Sequence, residues 1–311
     1  MTILEALQRG AGLLKSAGIE DPRFNADLLL GFVCGLRRDQ LYLEREREIS
    51  EERCAEYFAL VERRRRREPL QYILGRQEFM GLPIAVDPRV LIPRPETELL
   101  VEKLFEVNLL QDRLQRAWSP ALLPAAEMAG AAPRPGGCGT LAAEAESGRP
   151  RVVDLCTGSG AVAIAVAHYW PEAEVVGTDI SAAALAVAAA NARRLGASIE
   201  WRQGDLLEPI RSELWDWIVA NPPYVAASEY LECSPEVRHE PPEALLGGLD
   251  GLDFYRRLAQ DAPRLLRPGG GMLLEIGAQQ GLAVADLFMA QGLAACVFAD
   301  FAGHDRVVLV R

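Results

Sequence analysis

The sequence predicts an α/β protein in which a doubly wound, mainly parallel sheet of seven strands follows an N-terminal bundle of helices. Three observations predict it. From Arg151 onward, short apolar runs alternate with helical periodicity, the pattern of strands buried on both faces between helices. The last two apolar runs are joined only by Asp300 to Arg306, too short for a helical crossover, so that pair is expected to be antiparallel. The first third instead carries repeated helix starts.

Thr2-Ile3-Leu4-Glu5 has capping-box spacing, Asp21-Pro22 reads as an N-cap before a proline at the first helical position, and Ser50 precedes Glu51-Glu52. These starts predict a helical domain over residues 1–76. Acidic and basic residues balance between Thr2 and Arg89, so the remainder carries the whole net charge of −11. Arg63 to Arg67 form the one basic block. The expected role is the solvated end of a helix, where cations suit the dipole; contact with RNA or a charged partner is the alternative. Phe79 to Val86 reads as a short hairpin, and Pro93-Arg94-Pro95-Glu96-Thr97-Glu98 opens an amphipathic helix to about Val107, a connector over residues 77–108. Residues 109–149 turn to Ala, Pro and Gly and lose periodicity, as expected of a mobile insertion.

Residues 150–311 form the sheet domain. Strands are expected at Val152 to Leu155, Val175 to Thr178, Ile199 to Trp201, Trp217 to Ala220, Met272 to Ile276, Ala294 to Ala299 and Val307 to Val310. Helices are expected over Gly158 to Tyr169, Ser181 to Leu195, Phe254 to Leu266 and Gln279 to Ala290. A parallel sheet of this kind closing in an antiparallel pair is the layout of class I, Rossmann-like methyltransferases.

Composition excludes several classes. The chain has 311 residues, half of them hydrophobic and a quarter charged, which is ordinary for globular domains. The acidic balance disfavours stable nucleic-acid binding. The longest apolar stretches, Leu28 to Leu36 and Ala161 to Ala167, fall short of the ~18 to 20 residues a membrane span needs. Met1 to Glu5 lack the features of an export signal, so the cytoplasm is the expected location. The six cysteines are scattered without a C-x-x-C pair and the three histidines, His168, His239 and His304, are dispersed, so neither zinc nor a Ser-His-Asp triad has support.

Asp154-Leu155-Cys156-Thr157-Gly158-Ser159-Gly160 stands where the first strand meets its helix. Glycines there let the backbone approach a ligand, and Asp179, ending the second strand, is placed for ribose hydroxyls. Gly158-x-Gly160-x-x-Ala163 also satisfies a dinucleotide pattern, so the glycines alone leave a dehydrogenase open. Asp154 favours the other cofactor: a carboxylate opposes a pyrophosphate and suits the ammonium and sulfonium of S-adenosyl-L-methionine. Asp205 and Leu206, after the third strand, are placed to hold an adenine amino group and to pack on the ring. Asn221-Pro222-Pro223-Tyr224 ends the fourth strand. An amide-type nitrogen is a poor nucleophile because its lone pair is delocalised. Hydrogen bonds from its NH₂ to the Asn221 side-chain oxygen and the Pro222 carbonyl orient that lone pair and stabilise the developing positive charge. Two prolines stiffen the loop, and Tyr224 offers a flat face to a planar group. Asn221, Pro222 and Tyr224 are thus the catalytic candidates; with Pro223 they are the expected substrate contacts, and Asn221 also borders the cofactor.

The chain resembles the peptide chain release factor glutamine methyltransferases of the PrmC/HemK type. The resemblance rests on Pro69 to Gly75, Glu78-Phe79, Leu91 to Glu98, the Asp154 loop, Asn221 to Val225, and Arg238-His239-Glu240-Pro241 before Ala244-Leu245. It implies methyl transfer from S-adenosyl-L-methionine to the side-chain amide N5 of the glutamine in a Gly-Gly-Gln loop of class 1 release factors, with the helical domain docking the factor. Two departures stand out: Cys156 occupies a position where the family commonly has glycine, and the 109–149 segment replaces a short link. A nucleic-acid adenine or guanine methyltransferase is the alternative, since the same loop can serve a flipped base. A scaffold that keeps only the cofactor fold is another.

Overall fold

Amphipathic periodicity in the first third folds into α1 (Ile3–Ser16), α2 (Pro22–Cys34), α3 (Arg38–Leu43), α4 (Glu51–Arg65) and α5 (Leu70–Leu74). The computed structural model describes residues 1–117 and 148–311. Thr2 and Glu5 form a reciprocal capping box, and the Ser50 hydroxyl accepts from the Arg53 amide. Asp21 departs from expectation: its backbone is left-handed, with φ 47°, and its side chain makes no cap. Pro22, pre-set in φ, alone marks the start of α2. Leu7, Leu14, Leu29, Leu30, Leu41 and Tyr57 converge in a core of their own.

The arginine block is more than a solvated helix end. Arg64 is only 7% exposed; its guanidinium donates to Asn25 Oδ1 at 2.8 Å and to Glu236 Oε1, in the sheet domain, at 2.9 Å. Arg67 reaches the same Glu236 oxygen at 3.2 Å and the carbonyls of Ala17 and Gly18. Arg63, Arg65 and Arg66 pair locally with Glu68 and Glu62. Residues 64 and 67 thus share the face turned toward the second domain, while their neighbours behave as expected. Glu236→Ala takes the carboxylate from the buried Arg64 guanidinium, leaving it Asn25 Oδ1 and the Glu68 carbonyl, and is expected to lower stability by ~1 to 3 kcal/mol, read as a lower denaturation midpoint at constant slope. An unchanged midpoint would show that the link contributes nothing.

The connector begins with β1 (Arg76–Phe79) and β2 (Leu82–Ala85), an antiparallel pair turned by Met80 (φ 50°) and Gly81 (φ 72°). Two successive positive φ values match the twist of a two-residue hairpin. The Asn191 side chain from the sheet domain both donates to and accepts from the Ala85 backbone at 2.9 Å, and also donates to the Ser159 carbonyl, tying the hairpin to the glycine loop. A 3₁₀ turn, Pro95–Thr97, leads into α6 (Glu98–Ala117). The helix therefore continues past Val107, so the expected 109–149 insertion starts as helix; residues 118–147 lie outside the described residues.

The sheet domain runs β3 (Arg151–Leu155), α7 (Ala161–Tyr169), β4 (Glu174–Asp179), α8 (Ala182–Leu195), β5 (Glu200–Gln203), β6 (Trp215–Ala220), α9 (Ala227–Tyr230), α10 (Asp253–Asp261), β7 (Leu266–Glu275), α11 (Gly281–Met289), β8 (Ala295–Ala299) and β9 (Asp305–Val310). Its seven strands lie in the order β5-β4-β3-β6-β7-β9-β8, with β9 antiparallel to both neighbours and every other pairing parallel. Alternation shows why both faces are covered. Val152, Trp217 and Val219 enter a core with α6, α7 and α8, whereas Val153, Ile218 and Ala220 enter a second core with α10 and α11. The helix expected to reach Leu266 stops at Asp261, because Pro263 cannot continue it and a 3₁₀ turn follows. Strand β4 lies on one side of β3 and β6 on the other, so the chain reverses direction across the sheet at β3, opening a crevice at the carboxyl ends of these strands. Among the described residues no helix is long and apolar enough to cross a membrane.

Candidate active site

A cavity of about 330 Å³ occupies that crevice. Its floor is the turn after β3, where Cys156 (φ 57°), Gly158 (φ 53°) and Gly160 (φ 80°) are all left-handed. A side chain at Cys156 carries a conformational cost of roughly 1 to 2 kcal/mol that glycine avoids. Burial pushes the Cys156 thiol well above the ordinary cysteine range, so it stays protonated. A Cβ on Gly160 would come within 3.0 Å of Ala188 and 3.1 Å of Trp201, whereas one on Gly158 would meet nothing within 4 Å. Gly158 therefore leaves open space for a ligand, and Gly160 lets the loop pack on its own domain.

Asp154 lies beneath this loop. Its carboxylate is 2% exposed and accepts from the Thr157 hydroxyl at 2.5 Å and the Ala163 amide at 3.1 Å, bracing the turn into α7. Burial pushes its carboxyl up to about 7, against these two hydrogen bonds. Thr157 and Ser159 are buried too. Of the expected cofactor contacts, Cys156, Gly158, Asp179, Asp205, Leu206 and Asn221 line the cavity; Asp154, Thr157, Ser159 and Gly160 shape it from behind.

Asp179 ends β4 with one carboxylate oxygen on the Gly158 amide and the other on the Ser181 amide, each at 2.9 Å. Those bonds hold both oxygens at the cavity edge with lone pairs to spare, while burial raises the carboxyl above its usual range. Asp205 is held by the Arg257 guanidinium at 2.7 Å, so its carboxylate is already oriented by a cation at the cavity wall. Leu206, left-handed at φ 51°, turns its side chain into the cavity wall.

Asn221 follows β6 directly beside the end of β3. Its Nδ2 donates to Thr97 Oγ1 at 3.2 Å, and among the described residues none donates to its Oδ1. Pro223 lines the cavity; Pro222 and Tyr224 do not. The Tyr224 hydroxyl instead turns inward to Glu275 Oε1 at 3.3 Å, where burial raises the phenol well above its usual range. The loop after Tyr224 is paired to the chain ahead of α10: Val225 donates to the Leu245 carbonyl at 2.8 Å and Gly247 to the Val225 carbonyl at 2.9 Å.

Several residues here had no local signal. Arg89 to Leu91 of the connector, together with Pro241, Glu243 and Ala244, close one side of the cavity, and Phe254 and Arg257 of α10 close another. Glu240, 3% exposed, accepts from the Ile92 amide at 2.9 Å and pairs with Arg94, joining the two strings that carried the family resemblance. Thr97 and Glu275 stand behind Asn221. Glu275 did leave a trace, a carboxylate ending the apolar run Met272-Leu273-Leu274, where a doubly covered strand offers no solvent.

Known proteins resemble this chain in sequence along nearly its whole length. Residues 5–75 match the family model described as the PrmC N-terminal domain, and residues 139–239 match the methyltransferase small domain. A release factor glutamine methyltransferase of Moorella thermoacetica is 41% identical over 99% of this chain and 98% of its own length. One from Bacillus subtilis is 36% identical over 99% and 96% respectively. Among solved structures, the hMettl16 catalytic domain bound to an RNA hairpin superposes with a TM-score of 0.50 at 17% identity, covering 78% of each chain, a likeness of fold alone. A helical domain locked to a seven-stranded methyltransferase sheet, matched end to end by relatives at this level of identity, places the chain in the family of release factor glutamine methyltransferases.

Proposed function

We propose that this protein transfers a methyl group from S-adenosyl-L-methionine to the side-chain amide N5 of the glutamine in the Gly-Gly-Gln loop of class 1 peptide chain release factors, in the cytoplasm. The observation that carries the reading is the Asn221 amide, whose nitrogen is committed to Thr97 and whose oxygen is left for a donor. An NH₂ is the group that such an acceptor collects.

The cavity fits the cofactor. Its volume of about 330 Å³ lies in the range of small-molecule sites. Asp179, Asp205 and Glu243 line it, while the two lining guanidiniums, Arg89 and Arg257, are paired with Asp87 and Asp205. Such a lining suits a sulfonium and an ammonium and opposes a pyrophosphate. When bound, S-adenosyl-L-methionine supplies an electrophilic methyl group. Asp179 is placed for the ribose hydroxyls, Asp205 and Leu206 for the adenine, and Asp154 acts by holding the glycine loop. Asn221 and the Pro222 carbonyl orient the glutamine NH₂. An N-alkylated amide cation is so acidic that water takes its proton, which accounts for a loop without a general base. Phe24, Phe32, Tyr42 and Leu43 on α2 and α3 are exposed, with the Arg38 and Arg23 guanidiniums over the Phe24 and Tyr42 rings, and are the residues to which we assign docking of the factor.

The test is to incubate the protein with labelled S-adenosyl-L-methionine and a release factor, and separately with DNA and RNA, and to locate the label by mass spectrometry. Label on the loop glutamine is expected; label on adenine or guanine would replace this reading with the nucleic-acid alternative. Asp179→Ala is expected to weaken S-adenosyl-L-methionine binding by ~1 to 3 kcal/mol in calorimetry through loss of charge-assisted hydrogen bonds. Undiminished affinity would remove Asp179 from the cofactor site.

A further inference from the structure

Arg257 stands on α10 one turn after Phe254, and both residues line the cavity across from Asp205 and Leu206 in the loop after β5. Its guanidinium lies 5.8 Å from the centre of the Phe254 ring, within reach of a cation–π contact, and donates from Nη2 to Asp205 Oδ2 at 2.7 Å. Among the described residues Arg257 pairs with no other carboxylate, and nothing donates to Asp205 Oδ1. The Asp205 side chain is 47% exposed, so without Arg257 its torsions would be free to turn. One side chain from a helix on the far side of the crevice thus decides where this carboxylate points.

We propose that Arg257, acting through Asp205, is the positioning residue that makes the cofactor cavity select a 6-amino purine over a 6-oxo purine. The proposal rests on the assignment of Asp205 to the adenine edge of the cofactor. A carboxylate only accepts hydrogen bonds; adenine offers it a donor at the amino group, whereas hypoxanthine carries an oxygen there. That difference alone does not discriminate. The oxo purine has a hydrogen on ring nitrogen N1, beside that oxygen, and a carboxylate free to turn collects it instead.

A carboxylate held by one oxygen cannot follow. The guanidinium is planar, permanently charged and donates only, so its hold on Oδ2 also fixes Oδ1. A 6-oxo group brought to Oδ1 sets one acceptor against another, and a site built for a donor rejects the analogue that lacks it because a polar group is left unpaired on binding. Phe254, packed under the guanidinium, helps to keep that donor in place.

The test is calorimetry with S-adenosyl-L-homocysteine and its 6-oxo counterpart, S-inosyl-L-homocysteine, neither of which carries a methyl group to transfer. The parent is expected to bind the adenosyl compound roughly tenfold or more tighter. Arg257→Gln is expected to bring the two within about threefold, because the released carboxylate lets the inosyl compound bind better, a gain that simple damage to the site does not give. Arg257→Lys keeps the charge with a single point of contact and is expected to recover part of the preference. Asp205→Asn is expected to invert it: Arg257 takes the amide oxygen and leaves the NH₂ for the 6-oxo group, and the inversion is expected to vanish in the Asp205→Asn, Arg257→Gln double variant. A parental ratio in Arg257→Gln, or no inversion in Asp205→Asn, overturns the proposal. Equal binding of both compounds by the parent overturns it alone, whereas binding of neither takes down the cofactor reading and this proposal with it.

Discussion

Replacing Asn221 with alanine is expected to lower turnover by about 10² or more while leaving cofactor affinity nearly intact, because the lost hydrogen bond strengthens as the target nitrogen becomes cationic in the transition state. Asn221→Asp is expected to fall as deeply, although it keeps an acceptor oxygen. The structure supplies the reason. An aspartate here would lose the amide hydrogen that Asn221 gives to Thr97 Oγ1 at 3.2 Å, and with it the bond that fixes the orientation of the side chain. A carboxylate would also repel the carbonyl oxygen of the incoming amide, whereas the Asn221 NH₂ keeps a second hydrogen, beside the one given to Thr97, with which to meet that oxygen. Single-turnover rates for Asn221→Asp within a few-fold of the parent would refute this two-sided recognition.

Gly247→Ala is expected to reduce kcat/KM by about 10², although residue 247 is no part of the reacting group. A Cβ there would stand 2.6 Å from the Pro223 carbonyl oxygen, 2.8 Å from the Tyr224 Cα and 2.9 Å from the Gly251 carbonyl oxygen. All three are backbone atoms, so no side chain can swing away; the Asn221-Pro222-Pro223-Tyr224 loop itself must move. The amide of residue 247 meanwhile stays anchored to the Val225 carbonyl, which denies the added methyl an outward path. The measurement is kinetic, alongside calorimetry with the cofactor, whose glycine-loop contacts lie elsewhere. Unchanged kcat/KM would mean that the loop tolerates displacement and that its placement is less demanding than the chemistry implies.

What the sequence made legible was local. Gly158, Asp179 and Asn221 each sit where an apolar strand gives way to a turn, so strand ends and glycines suffice to find them. Trp217 and Ile218 lie on opposite faces of β6, and their uninterrupted apolar run announced a strand covered on both sides. Contacts between distant positions left no such mark. Thr97 reaches Asn221 across 124 positions, and Arg64 reaches Glu236 across 172. Each looks ordinary among its own neighbours: a threonine in a helix start, an arginine in a basic run. Asp21 misled for the opposite reason, because Asp-Pro spacing predicts a cap that its left-handed backbone does not make. The full length of α6 was hidden because the Ala, Pro and Gly composition of the segment that follows drew the boundary back to about Val107, ten residues, or nearly three turns, short of Ala117.

The grip of Arg64 and Arg67 on Glu236 also fixes a span. On the docking proposed above, a largely buried guanidinium holds the exposed side chains of α2 and α3 at one distance from the Asn221 loop, like the jaws of a caliper set to one opening. A partner large enough to touch both gains its second contact at an effective concentration governed by that opening, while a short peptide with the same glutamine has only one foothold. On that reading, discrimination among glutamines would follow from the dimensions of the protein that presents them, even where the residues flanking the glutamine are identical.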